Sequence, residues 1–402
     1  MRAPRREGAL ALPGMTLLPL VLALALQDPV PVEGPVEGPL EGKSADLAAR
    51  IEAIRAEAGV PALGGALVTV DGLQGVWVSG TRRAGGPELV TADDLWHLGS
   101  CTKAMTATLI ALLVERGDLG WDALLGDLLP EAAEGMDLDY ADVTLVEILG
   151  HRAGLAPAPP DEPLSAIVHG GFPMLEQRAR FARLALAQRP ALPPHGALSY
   201  SNAGYVIAGH VAEVATGKAW ETLIEELLFQ PLGMDGAGFG PPGSAATCDQ
   251  PRGHTDDGRA LEPGPGADNP PLIGPAGTVH ASLGDWAKFA ALHLRGARGD
   301  VRIGEITLPR ATFARLHSPC PGPGPRYGYG WGIETRPWAG GDGTALEHNG
   351  SNARWYCIAW LGLESGVAVL VTANQASPAA KGACNRVATL LVEEHGRRAG
   401  AR

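Results

Sequence analysis

Strand-like segments near both ends of this chain flank a middle part that indicates helices. Runs rich in apolar residues, typical of strands, occupy positions 63–70, 75–78, 327–334, 353–363 and 367–372. From about residue 119 to residue 277 the pattern instead favours helices joined by long loops. This arrangement predicts a sheet subdomain, residues 44–118 and 278–398, that carries a helical subdomain, residues 119–277, as an insertion.

The first 25 residues have the pattern of a signal peptide. Residues 1–6 are positively charged, residues 10–26 are mostly apolar, and Ala23-Leu24-Ala25 fits a small-residue cleavage site. Residues 26–43 repeat Pro, Gly and Glu, which indicates an extended linker to a domain at 44–398. We therefore expect an exported protein, periplasmic or extracellular; an uncleaved anchor and a disordered tail are the alternatives. No later segment reaches the about 18 uncharged apolar residues that a membrane helix needs, so no stable membrane span is expected after cleavage.

The charge of the chain argues against nucleic acid as a partner. The 402 residues carry a formal net charge of −12, with no block of basic residues after residue 6, whereas nucleic-acid-binding domains present basic patches. The five cysteines include no Cys-x-x-Cys pair and the histidines lack the spacing of metal ligands, so no metal or other cofactor is predicted. The sequence leaves the pairing of the cysteines open.

Ser100 stands three residues before Lys103, at the start of an apolar run that predicts a helix over residues 104–114. Positions i and i+3 lie on the same face of a helix, so the lysine amine can reach the serine hydroxyl. A lysine buried at a helix N-terminus loses part of its preference for the charged form. A neutral amine beside a hydroxyl can activate a nucleophile. The alternative is a helix-capping serine followed by a solvent-directed lysine.

Two further segments could complete a catalytic set. Tyr200 and Asn202 lie in a loop before a predicted helix, where the phenol could exchange protons with Ser100 and the amide could bind Lys103 and a substrate carbonyl. The alternative is a turn with helix-capping residues.

The second segment, His348-Asn349-Gly350, lies just before a predicted strand. Its glycine would let a substrate approach the backbone, and the N–H of Ser351 would be a second oxyanion donor. His348 would add polar character near the leaving group. The alternative is an Asn-Gly turn at a strand edge.

In this order and local context, the three segments resemble those of the serine β-lactamase and penicillin-binding-protein superfamily. The resemblance is closer to the branch of class C β-lactamases, DD-carboxypeptidases and esterases, and it runs from about Asp46 to the last helix. Further similar segments are residues 148–155, 199–205, 229–234, 275–277 and 327–331. The resemblance implies a β-lactamase/transpeptidase-like α+β fold, an antiparallel sheet flanked by helices with an inserted all-helical subdomain.

The resemblance also implies roles. Ser100 would be the acylated nucleophile, Lys103 its base partner and Tyr200 the general base and acid. Asn202 would orient the substrate, and the backbone N–H groups of Ser100 and Ser351 would form the oxyanion hole. Asn349 would take the place of the threonine in the superfamily's Lys-Thr-Gly motif. Apart from the resemblance, the residues themselves suggest substrate contacts at Asn349, Gly350 and Arg354.

The position of His348 is where the chain departs from the β-lactamase pattern, which usually has lysine there. A histidine is largely neutral at pH 7 and would not pair permanently with a substrate carboxylate. Arg354 could supply that contact, or it is simply a solvated arginine at a strand edge. Surface or capping positions are predicted for the remaining histidines, with His151 at a helix C-terminus: His97, His151, His195, His210, His254, His280, His293 and His317.

The sequence therefore predicts an exported serine hydrolase that acts through an acyl-enzyme on an ester or a peptide-like amide. One alternative is a β-lactamase or D-alanyl-D-alanine carboxypeptidase. The other is a non-catalytic penicillin-recognising binding or sensor module; the presence of Ser100, Lys103, Tyr200 and Asn202 together argues against it. The oligomeric state is not predicted.

Overall fold

The computed structural model describes residues 44–157 and 161–400, and the predicted signal peptide 1–25 and linker 26–43 lie outside them. The strands are β1 Ala62–Thr69, β2 Gly72–Gly80, β3 Leu95–His97, β4 Gly238–Phe239, β5 Gly253–His254, β6 Ala260–Leu261, β7 Val279–Ser282, β8 Arg302–Ile303, β9 Ile306–Thr307, β10 Tyr327–Gly328, β11 Trp331–Thr335, β12 Thr344–Ser351, β13 Tyr356–Gly362 and β14 Val367–Ala373.

Helices surround these strands and fill the middle of the chain. The α-helices are α1 Ser44–Ala58, α2 Thr102–Glu115, α3 Leu125–Leu128, α4 Pro130–Ala133, α5 Leu145–Leu149, α6 Asp161–His169, α7 Met174–Leu186, α8 Asn202–Thr216, α9 Trp220–Ile224, α10 Gln230–Leu232, α11 Gly274–Gly277, α12 Leu283–Ala297, α13 Arg310–Leu316 and α14 Pro378–Gly400.

Within the described residues, seven strands form one antiparallel sheet in the order β10-β11-β12-β13-β14-β1-β2. The first strand β1 thus lies between the last strand β14 and the edge strand β2, so the strand-like segments at both ends of the chain form one sheet, as suggested. The predicted fold class, an antiparallel sheet flanked by helices in an α+β fold, is confirmed.

The central strands are apolar on both faces because helices cover both faces. Every residue of β14 is buried. On the neighbouring strand β1, a side chain at Gly65 would meet Val387 and Leu391 of α14, whereas one at Gly64 would meet Leu283 of α12. Successive residues of a strand point to opposite faces. Each fully buried aliphatic side chain in these layers contributes about 1.5–3 kcal/mol to folding.

The helical part of the chain packs around α8, which lies against α5, α7 and α11. Helix α5 begins with a capping box, because Thr144 and Glu147 bond each other's backbone N–H groups. Helix α2 joins this part to the sheet and is buried on nearly all sides, which is why most of its residues are apolar. Short strands β4, β5 and β6 also lie between residues 119 and 277.

One prediction about the sheet is wrong in detail. The segment His348-Asn349-Gly350 was expected just before a strand, but it lies within β12. The following strand begins at Tyr356 rather than near residue 353, and residues 352–355 form the turn between them. β12 carries Glu, His, Asn and Gly, which are poor strand formers. Pairing with β11 and β13 on both sides overrides that local preference.

Among the helices of residues 44–157 and 161–400, none combines the length and apolar character needed to cross a membrane.

Candidate active site

Ser100 lies in a single turn of 3-10 helix, Gly99–Cys101, that leads directly into α2. Gly99 has φ +47°, a conformation that side chains rarely adopt. The turn follows β3, whose pairing with β7 fixes the direction in which the chain enters. The predicted helical start is therefore present, with one 3-10 turn ahead of the α-helix.

Lys103 lies beside Ser100 as the i, i+3 spacing predicted. Its Nζ is 3.1 Å from Ser100 Oγ, 2.8 Å from Asn202 Oδ1 and 2.7 Å from the carbonyl oxygen of Ala276. The whole residue is buried and none of these partners carries a negative charge. Burial lowers the pKa of Lys103 from 10.5 to about 7. A large share of the amine is therefore neutral at physiological pH.

Tyr200 lies close to both Ser100 and Lys103, in the loop before α8. Its ring centre is 5.0 Å from Lys103 Nζ, and its side chain hydrogen-bonds that of Ser100. Burial raises the pKa of Tyr200 well above 10, and the hydrogen bond with Ser100 offsets part of that rise. The phenol therefore stays protonated at neutral pH and can donate a proton, whereas Lys103 is the group with a free lone pair.

His348 extends from β12 toward the same site. Its Nδ1 is 2.7 Å from the carbonyl oxygen of Asn349, so Nδ1 carries the hydrogen and Nε2, 3.2 Å from Tyr327 Oη, accepts from the phenol. Burial, with a smaller contribution from the nearby Lys103, lowers the pKa of His348 to about 3. The imidazole is neutral across the physiological range, in agreement with the prediction for this position.

The backbones of β12 and of the Ser100 turn touch directly. A Cβ atom at Gly99 would lie 2.3 Å from the backbone nitrogen of Ser351, and one at Gly350 would lie 1.9 Å from the carbonyl oxygen of Leu98. Contacts this short leave no room for a side chain at either position. The backbone of Ser351 is thereby brought next to the turn that carries Ser100.

Asn349 and Arg354 are the remaining polar candidates on the strand side of the site. Asn349 is exposed on β12. Arg354 lies in the turn after β12, half-buried, and its guanidinium donates to the carbonyl oxygen of Ala353 at 3.3 Å. Within the described residues, no hydrogen bond joins Arg354 to Ser100, Lys103, Tyr200 or His348.

All five cysteines lie within the described residues as free thiols. Cys101, beside Ser100, is a small buried residue, and its Sγ is 3.6 Å from Cys357 Sγ on β13. Cys320 and Cys384 are also buried, whereas Cys248 is partly exposed.

His151 was expected to cap a helix C-terminus, but it lies past the end of α5 with φ 56° and a buried side chain. Its ring packs between those of Tyr200, Tyr205 and Tyr327, at centroid distances of 4.3, 5.3 and 4.8 Å. Nδ1 accepts from the backbone N–H of Ser201 at 3.2 Å. His151 therefore supports the Tyr200 loop rather than the last carbonyls of a helix.

The expectation that the other histidines are surface or capping residues is wrong for most of them. Buried histidines with polar partners or aromatic neighbours are His97, His210, His254, His293 and His317. Single histidines on apolar segments gave no periodic pattern that would have revealed their burial. Most of their partners come from other segments of the chain, so the sequence does not show them.

Comparisons with known proteins agree with this geometry. A family model described as Beta-lactamase matches residues 47–393. Penicillin-binding protein 4 of Amycolatopsis lactamdurans is 34% identical over 254 residues, which are 61% of this chain and 62% of that protein. Esterase/beta-lactamase LipL of Mycobacterium tuberculosis is 32% identical over 46% of this chain and 41% of its own length. The matches thus span less than two thirds of these relatives.

A solved structure of a class C beta lactamase from Rhodobacter sphaeroides superposes with a TM-score of 0.66. The superposition covers 87% of this chain and 99% of that chain at 21% identity, a level at which it supports the fold alone. The sheet order, the inserted helices and the family match over nearly the whole described chain lead to one conclusion. The chain belongs to the Beta-lactamase family.

Proposed function

We propose that this protein is a serine hydrolase that forms an acyl-enzyme on Ser100 and acts on an ester or a peptide-like amide. The observation that carries the proposal is the 3.1 Å approach of Lys103 Nζ to Ser100 Oγ in a buried setting that lowers the lysine pKa to about 7. A nucleophilic hydroxyl needs an adjacent base that is partly neutral at the working pH. The names of the relatives, an esterase/β-lactamase and a penicillin-binding protein, fit the same chemistry.

In the proposed acylation step, Ser100 Oγ attacks the substrate carbonyl carbon while Lys103 accepts the hydroxyl proton. The carbonyl oxygen becomes an oxyanion that accepts hydrogen bonds from the backbone N–H groups of Ser100 and Ser351. The bond to the leaving group then breaks, and the protonated Tyr200 phenol donates its proton to the departing oxygen or nitrogen. The proton held by Lys103 restores the phenol.

Deacylation repeats these roles with water as the nucleophile. Water loses a proton to Lys103, its oxygen bonds to the acyl carbon, and the bond from Ser100 Oγ to that carbon breaks. The proton returns to Ser100 Oγ. Asn202 Oδ1, 2.8 Å from Lys103 Nζ, keeps the amine aligned, and the Nδ2 group of the same amide can donate to the substrate carbonyl.

The neutral state of His348 supports an ester or a neutral amide over a carboxylate-bearing β-lactam. Burial keeps this imidazole uncharged, so it supplies hydrogen-bonding capacity without a permanent positive charge. Asn349, exposed on the same strand, and the half-buried Arg354 are the substrate contacts proposed beyond the reacting atoms.

The proposal is tested by three probes on the purified chain. A fluorescent fluorophosphonate should label wild-type protein but not Ser100→Ala, because labelling forms a covalent bond to the nucleophile. A chromogenic ester should then be turned over faster than a chromogenic cephalosporin. Faster cephalosporin turnover would instead favour the β-lactamase or carboxypeptidase alternative, and the absence of both labelling and turnover would favour a binding module.

Export is proposed from the pattern of residues 1–25. The mature protein secreted by its own host should begin near Leu26. An intact mass that still includes Met1 to Ala25 would contradict cleavage at this position.

A further inference from the structure

Near the Ser100 turn, the side chains of His97, Asp268 and Asn352 are connected by a series of hydrogen bonds. His97 Nε2 lies 2.9 Å from Asp268 Oδ2, and Asn352 Nδ2 donates to Asp268 Oδ1 at 2.8 Å. The side chains of His97 and Asp268 are 0% and 3% exposed. These residues come from three separate segments: β3, the loop before α11, and the turn after β12.

Each end of this chain of bonds holds a backbone segment next to a proposed oxyanion donor. His97 Nδ1 accepts from the backbone N–H of Gly99 at 3.1 Å, and Gly99 directly precedes Ser100. Because Nδ1 is the acceptor, Nε2 carries the hydrogen and donates it to Asp268.

At the other end, Asn352 directly follows Ser351. Asn352 Oδ1 accepts from the backbone N–H groups of Arg354 and Trp355, both at 3.1 Å, and so folds the turn between β12 and β13. One carboxylate therefore connects the residue before Ser100 to the residue after Ser351.

We propose that His97, Asp268 and Asn352 are positioning residues that fix the separation of the Ser100 and Ser351 backbone N–H groups. This inference rests on the proposed function, in which those two groups bind the oxyanion. Such donors must lie about 2.7–3.1 Å from the oxyanion, and loss of one donor costs about 10²–10³ in turnover. Loosening the spacing without removing a donor is expected to cost less, about tenfold, and to act on the transition state more than on substrate binding.

The carboxylate of Asp268 accepts three hydrogen bonds, which restrict its movement. Besides His97 and Asn352, it accepts from the backbone N–H of Asn269 at 2.7 Å. Hydrogen bonds to a charged acceptor are shorter and stronger than neutral ones. Removing one partner would leave a buried polar group unsatisfied and allow the two segments to move independently.

The test compares variants of these residues with a matched control. Asp268→Asn is isosteric but removes the charge, His97→Gln keeps an amide near Asp268 but loses the acceptor for Gly99, and Asn352→Ala releases the turn. The control is His210→Gln, because His210 is also a buried histidine that contacts carboxylates, those of Glu131 and Glu213, in the helical part of the chain. Each protein is assayed for ester kcat and KM, for thermal stability and for affinity to phenylboronic acid, which forms an anionic tetrahedral adduct with an active serine.

We expect each of the three variants to lose about tenfold in kcat and in boronate affinity with KM changed less than twofold. The double variant His97→Gln/Asn352→Ala should lose little more than either single one, since both act through the same carboxylate. The control should lose stability without a change in boronate affinity.

Unchanged kcat and boronate affinity in the three variants would overturn the positioning role. So would losses that merely follow thermal stability along the same line as His210→Gln, or fully additive losses in the double variant. Failure of the proposed function is distinguishable, because wild-type protein would then bind no boronate and take no fluorophosphonate label. If Asn352→Ala does not fold, the isosteric Asp268→Asn still decides between these outcomes.

Discussion

The Ser100–Lys103 side of the site and the His348–Ser351 side are assembled over very different distances along the chain. Ser100 and Lys103 are three residues apart, and one turn of helix brings their side chains to 3.1 Å. On the strand side, Cys101 Sγ contacts the carbonyl oxygen of His348 across 247 positions, and Cys357 Sγ contacts that of Leu98 across 259. Local geometry therefore determines the proposed nucleophile and its base, whereas the register of a seven-stranded sheet determines the proposed oxyanion site.

The largest effect on turnover is expected from substitutions on the Ser100–Lys103 side of the site. Lys103→Ala should lower ester turnover by about 10²–10⁴, the usual contribution of a general base. Ser100→Ala should remove covalent labelling, and the double variant should be little worse than Ser100→Ala alone, because residues that act as a unit are not additive. Steady-state kinetics with fluorophosphonate labelling checks this, and a fully active Ser100→Ala protein would contradict the assignment.

The pH dependence of the reaction is a second test of the Ser100–Lys103 side. Only the neutral form of Lys103 accepts a proton, and burial lowers its pKa to about 7. The kcat/KM for an uncharged ester should therefore rise about tenfold per pH unit below pH 7 and level off above it. His348, with a pKa of about 3, is neutral throughout this pH range and should add no inflection to the kcat/KM profile. A flat kcat/KM profile between pH 5.5 and 8 would show that a group other than Lys103 is the base.

The same lowered pKa has a consequence for folding. Between about pH 7 and 10.5 the unfolded chain holds a proton on Lys103 that the folded chain has released, so this residue makes stability rise with pH in that window.

Substitution of Gly350 tests the His348–Ser351 side of the site. Gly350→Ala would place its Cβ 1.9 Å from the carbonyl oxygen of Leu98, so β12 must move away from the Ser100 turn. We expect a loss of about 1–3 kcal/mol in the free energy of unfolding together with reduced turnover. Denaturant unfolding and ester kinetics measure both.

Gly382→Ala is the matched control for this change. Gly382 is exposed on α14, and a Cβ atom there would have no neighbouring atom within 4 Å. Alanine at this position should therefore stabilise the helix by about 0.5–1 kcal/mol and leave turnover unchanged. Equal effects of the two substitutions would mean that the close approach of β12 is unimportant.

The smallest expected effect concerns substrate choice on the strand side. His348→Lys should raise the ratio of cephalosporin to ester turnover about two- to fivefold, the value of one weak ion pair. The shift stays small because the burial that keeps His348 neutral, and the nearby Lys103, would also oppose a charge on a lysine. Arg354→Ala in both backgrounds tests whether Arg354 already binds the substrate carboxylate; a lower ratio in His348→Lys would contradict the electrostatic argument.

The same difference between local and distant contacts explains which features could be predicted from the sequence. The Ser100–Lys103 contact and the burial of the lysine depend on neighbours along one short helical segment, and both were predicted. The location of His348 on β12 was missed, because Glu, His, Asn and Gly do not favour strands and only pairing on both sides makes them one. His97, Asp268 and Asn352 carry no shared motif, and their contacts span 84 and 171 positions.

The accessibility of the cysteine thiols can report local unfolding of this chain without any added label. In the folded chain a water-soluble thiol reagent can reach Cys248, whereas Cys101, Cys320, Cys357 and Cys384 are shielded. Thiol modification should therefore occur as one fast event followed by four events whose rate is set by exposure of the interior. Cys101 adjoins Ser100, and its Sγ lies 3.6 Å from Cys357 Sγ on β13. Modification of these two thiols therefore reports the separation of the start of α2 from the sheet.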